Sequence, residues 1–244
     1  STPLYSSAAS DVYKRQATRV CFILILIVSL SSLMCSKLDV AEVKSLSSYS
    51  VHNLNTGLNY TTIQGAISAS ETLDGHTIEV DAGAYYEHVT ISKSIFLLGE
   101  SRNTTIIDGS GTGPVVTLSA DNVSVANFTI RNGGHSWSPQ DTCIWGDSLS
   151  NILIENTTVM DVSNGIIFHS LHNSSMSHNF AEGCGVMGLH FDGSSDCKMV
   201  NNTVTNSFQG IVVEKSAGNF IQWNNLINNN VSINFYASAG NLVE

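Results

Sequence analysis

Between Asn151 and Asn241 one pattern of alternating residues recurs four times, and a chain that repeats itself at this interval has few ways to fold. Written as the alternate positions expected to face inward, the rows are Ile152, Ile154, Thr157, Val159, Asp161; Ser174, Met176, Asn179, Ala181, Gly183; Cys197, Met199, Asn202, Val204, Asn206; and Phe220, Gln222, Asn225, Ile227, Asn229. Corresponding residues lie 22, 23 and 23 apart. A fifth row, Val123, Val125, Phe128, Ile130, Asn132, precedes them at an offset of 29, one coil plus a six-residue insertion. A period in the low twenties, built of short alternating strands, marks a solenoid whose repeats stack on one another. The expected fold is all-β, a single-stranded right-handed parallel β-helix.

Each row continues into a second strand: Gly165–His169, Gly188–Asp192, Gly210–Glu214 and Ser232–Tyr236. Their second and fourth residues are apolar in every coil, the period-2 signature of a strand with one buried face. Asn179, Asn202 and Asn225 share one place in the register, at a bend between strands, where Asn tolerates unusual backbone angles and bonds to its equivalent one coil away. A stacked Asn ladder is expected.

Residues 1–16 include Asp11-Val12-Tyr13-Lys14-Arg15-Gln16, which reads as a translated transposon end from sequencing-library preparation, and are set aside from the fold. In residues 17–36, Arg19 precedes an apolar run, Val20 to Leu30, interrupted only by Ser29 and followed by Ser31 and Ser32. A basic flank, a short apolar stretch and small residues behind it describe a secretory signal peptide, too short for a membrane span of about 20 residues. Export with cleavage near residues 32–37 is expected. Residues 37–57 read as a polar linker, and 58–244 as the β-helix. Ile63, Ala66 and Ile67 fall on one face of a short helix that begins with capping residues, the expected N-terminal cap of the solenoid. Strands are expected at 77–80, 88–91, 95–98, 104–107 and 115–118. The last coil stops at Glu244 without a cap, so a truncated product, with further coils or domains in the full-length protein, is expected.

The chain carries a formal charge of −10, and residues 37–244 hold seven of the ten Lys/Arg and nineteen of the twenty Asp/Glu, near −12. Such a surface repels nucleic acid and anionic membranes, so no nucleic-acid partner is expected, and a polyanionic substrate needs a bridging cation. Of the cysteines beyond residue 36, Cys143 and Cys197 read as buried free thiols; a Cys184–Cys197 bridge is the alternative.

Thr62-Ile63-Gln64 with Ala66-Ile67, then Ile78 to Glu87, Leu97-Leu98-Gly99-Glu100 and Thr105-Ile106-Ile107-Asp108-Gly109 resemble the opening coils of pectin methylesterases and related pectin-lyase-like proteins. The later coils resemble the NosD-like, carbohydrate-binding and sugar-hydrolase β-helix repeats of bacterial and archaeal surface proteins. Gln140-Asp141-Thr142 matches the esterase Gln-Asp-Thr motif, whose Asp belongs to a carboxylate pair. The second Asp of that pair is replaced by Asn164-Gly165-Ile166-Ile167-Phe168, and no Gly-Arg-Pro-Trp segment supplies the arginine. Esterase chemistry therefore has no mechanism here, and Asp141 reads as a loop residue.

The repeat itself offers another constellation. The fifth residues of the second strands are His169, Asp192, Glu214 and Tyr236, all outward. Parallel strands stack about 4.8 Å apart, so these side chains should form a column, with outward His190 beside it. Such a column suits a cation held by Asp192 and Glu214, calcium being the candidate, or a carboxylate kept protonated as a general acid among the catalytic candidates His169, Asp192 and Glu214. The insertion Gly133 to Gln140 precedes the equivalent strand and should wall the column, with Trp137 as a sugar-stacking platform and His190, Tyr236 and Lys215 contacting substrate. The bland reading is a solvated polar face, as any solenoid carries.

The expected function is an exported or cell-surface β-helix, periplasmic in a diderm bacterium, that binds or processes polysaccharide or a cell-surface glycan; if an enzyme, it is a lyase, hydrolase or epimerase. A lyase or epimerase needs a base or calcium against a uronate, and beyond residue 132 only Lys198 and Lys215 are basic. The alternatives are a structural or adhesive module, and the copper handling that the NosD resemblance implies, for which His169, His172, His178, His190, Met176 and Met187 show no fixed ligand spacing. Among eight Asn-X-Ser/Thr triplets, Asn59 and Asn173 fall in expected exposed turns.

Overall fold

The computed structural model describes residues 50–136, 138 and 140–244; the segments read as sequence scar, signal peptide and most of the linker lie outside them. Three parallel sheets wind around one core. Sheet A runs β2(Leu58–Tyr60)-β1(Val51–Asn53)-β3(Thr77–Val80)-β6(Phe96–Gly99)-β9(Ser124–Ala126)-β12(Leu153–Glu155)-β15(Ser175–Ser177)-β18(Lys198–Val200)-β21(Phe220–Gln222)-β24(Leu242–Val243). Sheet B stacks β4(Gly83–Tyr85), β7(Thr105–Asp108), β10(Thr129–Arg131), β13(Thr158–Met160), β16(Phe180–Glu182), β19(Thr203–Thr205) and β22(Asn225–Ile227). Sheet C stacks β5(Val89–Ile91), β8(Val116–Leu118), β11(Thr142–Asp147), β14(Asn164–His169), β17(Met187–Asp192), β20(Gln209–Glu214) and β23(Val231–Tyr236). Every third strand pairs in parallel, which is the right-handed parallel β-helix expected from the period. One piece of the fold precedes the expected boundary: β1, inside the stretch read as linker, pairs antiparallel with both β2 and β3, and this hairpin closes the edge of sheet A.

The cap forms as its sequence requires. In α1(Ile63–Ser68), the Thr62 side chain accepts from Gly65 N, and Glu87 from the first coil accepts from the amides of Ile63 and Gln64 at 3.0 and 2.9 Å. Orphan donors of the first turn are thus satisfied while Ile63, Ala66 and Ile67 bury against the first coils.

The inward rows stack like on like. Sheet A contributes Ile78, Leu97, Val125, Ile154, Met176, Met199 and Ile221. Sheet C contributes Ile91, Leu118, Gly146, Phe168, Phe191 and Val213. Gly146 is required in that column: a Cβ there would stand 2.9 Å from the Phe168 ring one coil on.

Two details of the register differ from expectation. The fourth row is Asn219, Ile221, Asn224, Leu226, since Met199 pairs with Ile221 at an offset of 22; Phe220 and Ile227 are exposed. The ladder accordingly runs through Asn179, Asn202 and Asn224, not Asn225: Thr157 N donates to Asn179 Oδ1 at 3.0 Å, Asn179 N to Asn202 Oδ1 at 2.9 Å and Asn202 N to Asn224 Oδ1 at 2.9 Å. Their amides point inward; the unusual backbone angles belong to the residues before them, His178, Asn201 and Trp223, at φ near 56°. Likewise Asp161, Gly183 and Asn206, expected inward, are exposed left-handed corners. Each rung satisfies buried backbone groups that a three-sided coil leaves unpaired where the strand breaks.

Candidate functional site

The outward columns of sheet C follow from its parallel register. One is Asp147, His169, Asp192, Glu214, Tyr236; the neighbouring one is Trp145, Ile167, His190, Val212, Asn234. Immediately after the first column every coil turns through a left-handed residue, and in the sixth coil this residue is Lys215, at φ 47°. The corner swings its side chain back over the strand ends.

The resulting cluster joins three coils. His169 Nδ1 and Asp192 Oδ2 are 3.0 Å apart, Lys215 Nζ donates to Glu214 Oε1 at 2.7 Å and stands 3.9 Å from Asp192 Oδ1, and the rings of His169 and His190 meet edge to face at 6.0 Å. The ammonium thus stands between the carboxylates of Asp192 and Glu214 on neighbouring coils. The hydrogen bond to Glu214 raises the Lys215 pKa, with Asp192 adding to it.

His190, expected to be solvated, is 5% exposed. Neither ring nitrogen has a hydrogen-bond partner, and Nε2 lies 4.0 Å from Glu214 Oε2, beyond hydrogen-bonding distance. Its column explains this: Ile167 and Val212 on either side are outward yet buried. Burial lowers the His190 pKa to about 4, outweighing the carboxylates of Asp192 and Glu214, so the ring is neutral at pH 7. With Asp192 accepting from Nδ1 of His169, the imidazole is held in one orientation on the outer face of the sheet. Tyr236 continues the column one coil further and is exposed.

Trp137 lies outside the described residues. The insertion around it is tied to the start of β14, where Ser163 N donates to Gly134 O and Asn164 Nδ2 to Ser138 O, whereas His169 ends that strand, roughly 16 Å away at 3.3 Å per residue. Asp141 accepts from Ser136 N and Oγ and so organises this loop, as its bland reading requires. Cys143, Cys184 and Cys197 are free and buried; burial pushes Cys184 to about 12 and Cys197 to about 11, and there is no Cys184–Cys197 bridge. Of the glycosylation triplets, Asn173 uses its Nδ2 to reach Asn151 Oδ1 at 2.7 Å, and Asn59 accepts from His52.

A three-sided parallel β-helix with polar outward columns defines the pectin-lyase-like class of solenoid. The chain belongs to the NosD family: the family model described as periplasmic copper-binding protein (NosD) matches residues 87–244. It is 31% identical over 138 residues, 56% of its length, to a cell surface glycoprotein of Methanothermus fervidus, and spans 21% of that protein. Among solved structures it resembles a carrot pectin methylesterase (TM-score 0.55, 14% identity, 76% of this chain and 81% of the other) and an alginate lyase from Paenibacillus (TM-score 0.55, 11% identity, 74% and 72%). These likenesses are of fold.

Among the described residues no three His, Cys, Asp or Glu side chains converge as metal ligands; of the methionines named with the copper reading, Met176 stands in the core and Met187 is half-buried, and the thiols of Cys143, Cys184 and Cys197 are buried. Sequence reasoning found the members of the sheet C cluster but missed the burial of His190, for which the apolar residues above and below it were the signal.

Proposed function

We propose that the chain is an exported cell-surface β-helix module that binds a polysaccharide along the outer face of sheet C. The observation that carries this reading is the cluster of His169, Asp192, Glu214 and Lys215 at the edge of that face, beside the neutral, unpartnered ring of His190. Carboxylates and imidazoles spaced one coil apart accept hydroxyl protons at the repeat of the sheet, and the exposed Tyr236 extends the column as a ring platform. The same dyad gives the site a base, His169, oriented by Asp192, for processing a bound chain. Export through residues 17–36 and a surface location agree with the glycoprotein relative. The activity of a longer whole protein is part of the same proposal.

A second reading, a rigid structural spacer, is favoured by two separate ladders of side-chain amides bonding backbone N–H groups one coil away, one from Thr157 through Asn179 and Asn202 to Asn224 and one from Cys197 through Asn219 to Asn241. The two are separated by a glycan-array and sugar-release screen of the full chain, with and without calcium, against Asp192→Ala and His169→Ala variants checked by circular dichroism. Binding or turnover lost in folded variants supports the sheet C site. A folded wild type that binds and releases nothing leaves the spacer.

A further inference from the structure

We propose that the outer face of sheet A is a self-association surface, on which a second copy of this chain packs face to face and reversed along the solenoid axis. The first outward column of the sheet alternates in size. Leu54, Phe96 and Leu153 stand on every second coil, and Thr77, Ser124 and Ser175 occupy the coils between. Lys198 and Phe220 continue the column. Leu54, Phe96 and Phe220 are 55%, 51% and 41% exposed, so the large residues project as ridges over gaps one coil wide. Two residues along each strand runs a second outward column, Glu79, Leu98, Ala126, Glu155, Ser177 and Val200, with two charges in six positions.

A column of this kind is complementary to itself under a two-fold axis parallel to the strands and midway between β9 and β12. That axis reverses the order of the coils and keeps each column opposite its own counterpart. Leu153 of one copy then faces Ser124 of the other, Phe96 faces Ser175, and Leu54 meets Phe220 at the ends. Ridges enter gaps, as in sheets that pack face to face about 10 Å apart with their side chains interdigitated. An axis along the solenoid would instead set Leu153 against Glu155 and Lys198 against Val200, an apolar group against a charge in both cases.

Charge agrees with the same axis. Lys198 comes to lie opposite Thr77, and Glu79 stands two residues along that strand, about 7 Å away and within the reach of a lysine side chain. Among the described residues neither Lys198 nor Glu79 has an ion-pair partner in its own chain, whereas Arg131 and Lys215 are paired. Symmetry makes the Lys198–Glu79 pair twice, and Glu155 faces Ala126, so no two carboxylates are directly opposed. Since the chain carries −10 and two copies repel in general, this pairing fixes the face and the register. The eight strands from β1 to β21 span about 34 Å, and three residues of each give about 10 Å of width. Burial is then on the order of 1,000 Å² in total, the lower limit of a specific interface, which suits a reversible dimer. Sheet C takes no part in it, so the inference is independent of the glycan reading.

The test is sedimentation velocity of the full chain from low to high micromolar concentration, with circular dichroism to confirm that each variant is folded. A monomer–dimer equilibrium is expected. Lys198→Glu and Glu79→Lys should each weaken it about tenfold, the scale of two exposed ion pairs turned into like-charge contacts. The double variant carrying both changes should return to the affinity of the wild type. Glu79→Lys also makes the chain less negative, so general repulsion between copies predicts the opposite sign. Glu182→Lys, the same change of charge on sheet B, should not weaken the dimer, and Ser124→Trp, which fills a gap beside the axis, should abolish it. A wild type that stays monomeric throughout gives the ridged face to a partner of other chemistry and overturns the proposal. So would a dimer that Glu79→Lys leaves intact, or a double variant no tighter than either single one.

Discussion

Replacing His190 by Leu should remove a defined component of acid sensitivity from the fold. The imidazole is 5% exposed, without partners for either nitrogen, and its pKa falls from 6.5 to about 4 through burial. The sign follows from proton uptake. Above pH 6.5 neither the folded nor the unfolded chain protonates this residue, and its burial carries no proton-linked penalty. Between 6.5 and about 4 the unfolded chain binds the proton and the folded chain does not, so stability falls as pH falls. At about 1.4 kcal/mol per unit the loss reaches about 3 kcal/mol near pH 4, with little solvent screening at so buried a site. His190→Leu lacks this slope and at pH 7 should be as stable as the wild type or about 1 kcal/mol more so, since two unpaired buried nitrogens disappear. Urea unfolding followed by tryptophan emission, at half-unit steps from pH 7 to 4.5, measures both. The acidic residues titrate alike in the two proteins and cancel in the difference. Identical pH slopes in wild type and variant would refute the argument.

Three further outcomes test the packing. Asn202→Ala should cost about 3 kcal/mol, because it strands Asn179 N, and Met176 O loses its donor, within the core, whereas Asn225→Ala, exposed, should stay within about 0.5 kcal/mol; urea midpoints decide whether Asn224 or Asn225 continues the ladder. Gly188→Ala should prevent the native stacking of coils five and six, since its Cβ would lie 2.4 Å from Val204 Cγ1 and 2.8 Å from Gly210 O; a cooperative unfolding transition like that of the wild type contradicts this. Cys184, buried and held as a thiol with a pKa of about 12, should resist a thiol-reactive dye at pH 8 until denaturant is added, and labelling of the native chain at the rate of a free thiol would show the site to be open.

The period alone made most of this fold legible, because in a stacked solenoid one correct register fixes all the others. The same property propagates an error. Asn224 and Asn225 both satisfy a search for the next Asn, and choosing the second turned Phe220 and Gln222 inward in place of Asn219 and Ile221. The apolar alternation Ile221, Leu226 carried the information that the Asn count did not. The sheet C column was legible for the parallel reason: His169, Asp192 and Glu214 occupy one position of the second strand, and pairing brings them together whatever they do. Lys215 was legible as a neighbour of Glu214 but not as its bridge to Asp192, since that depends on a left-handed corner whose residue type varies from Ser148 and Ser170 to Gly193. His190 shows the remaining step. Alternation assigns it to the outside, and solvation does not follow from that assignment, because a residue on a stacked sheet is desolvated by the coils above and below as well as by its own strand. Ile167 and Val212 are those neighbours, and an outward column that is apolar on both sides of a histidine is the sequence mark of an imidazole held neutral.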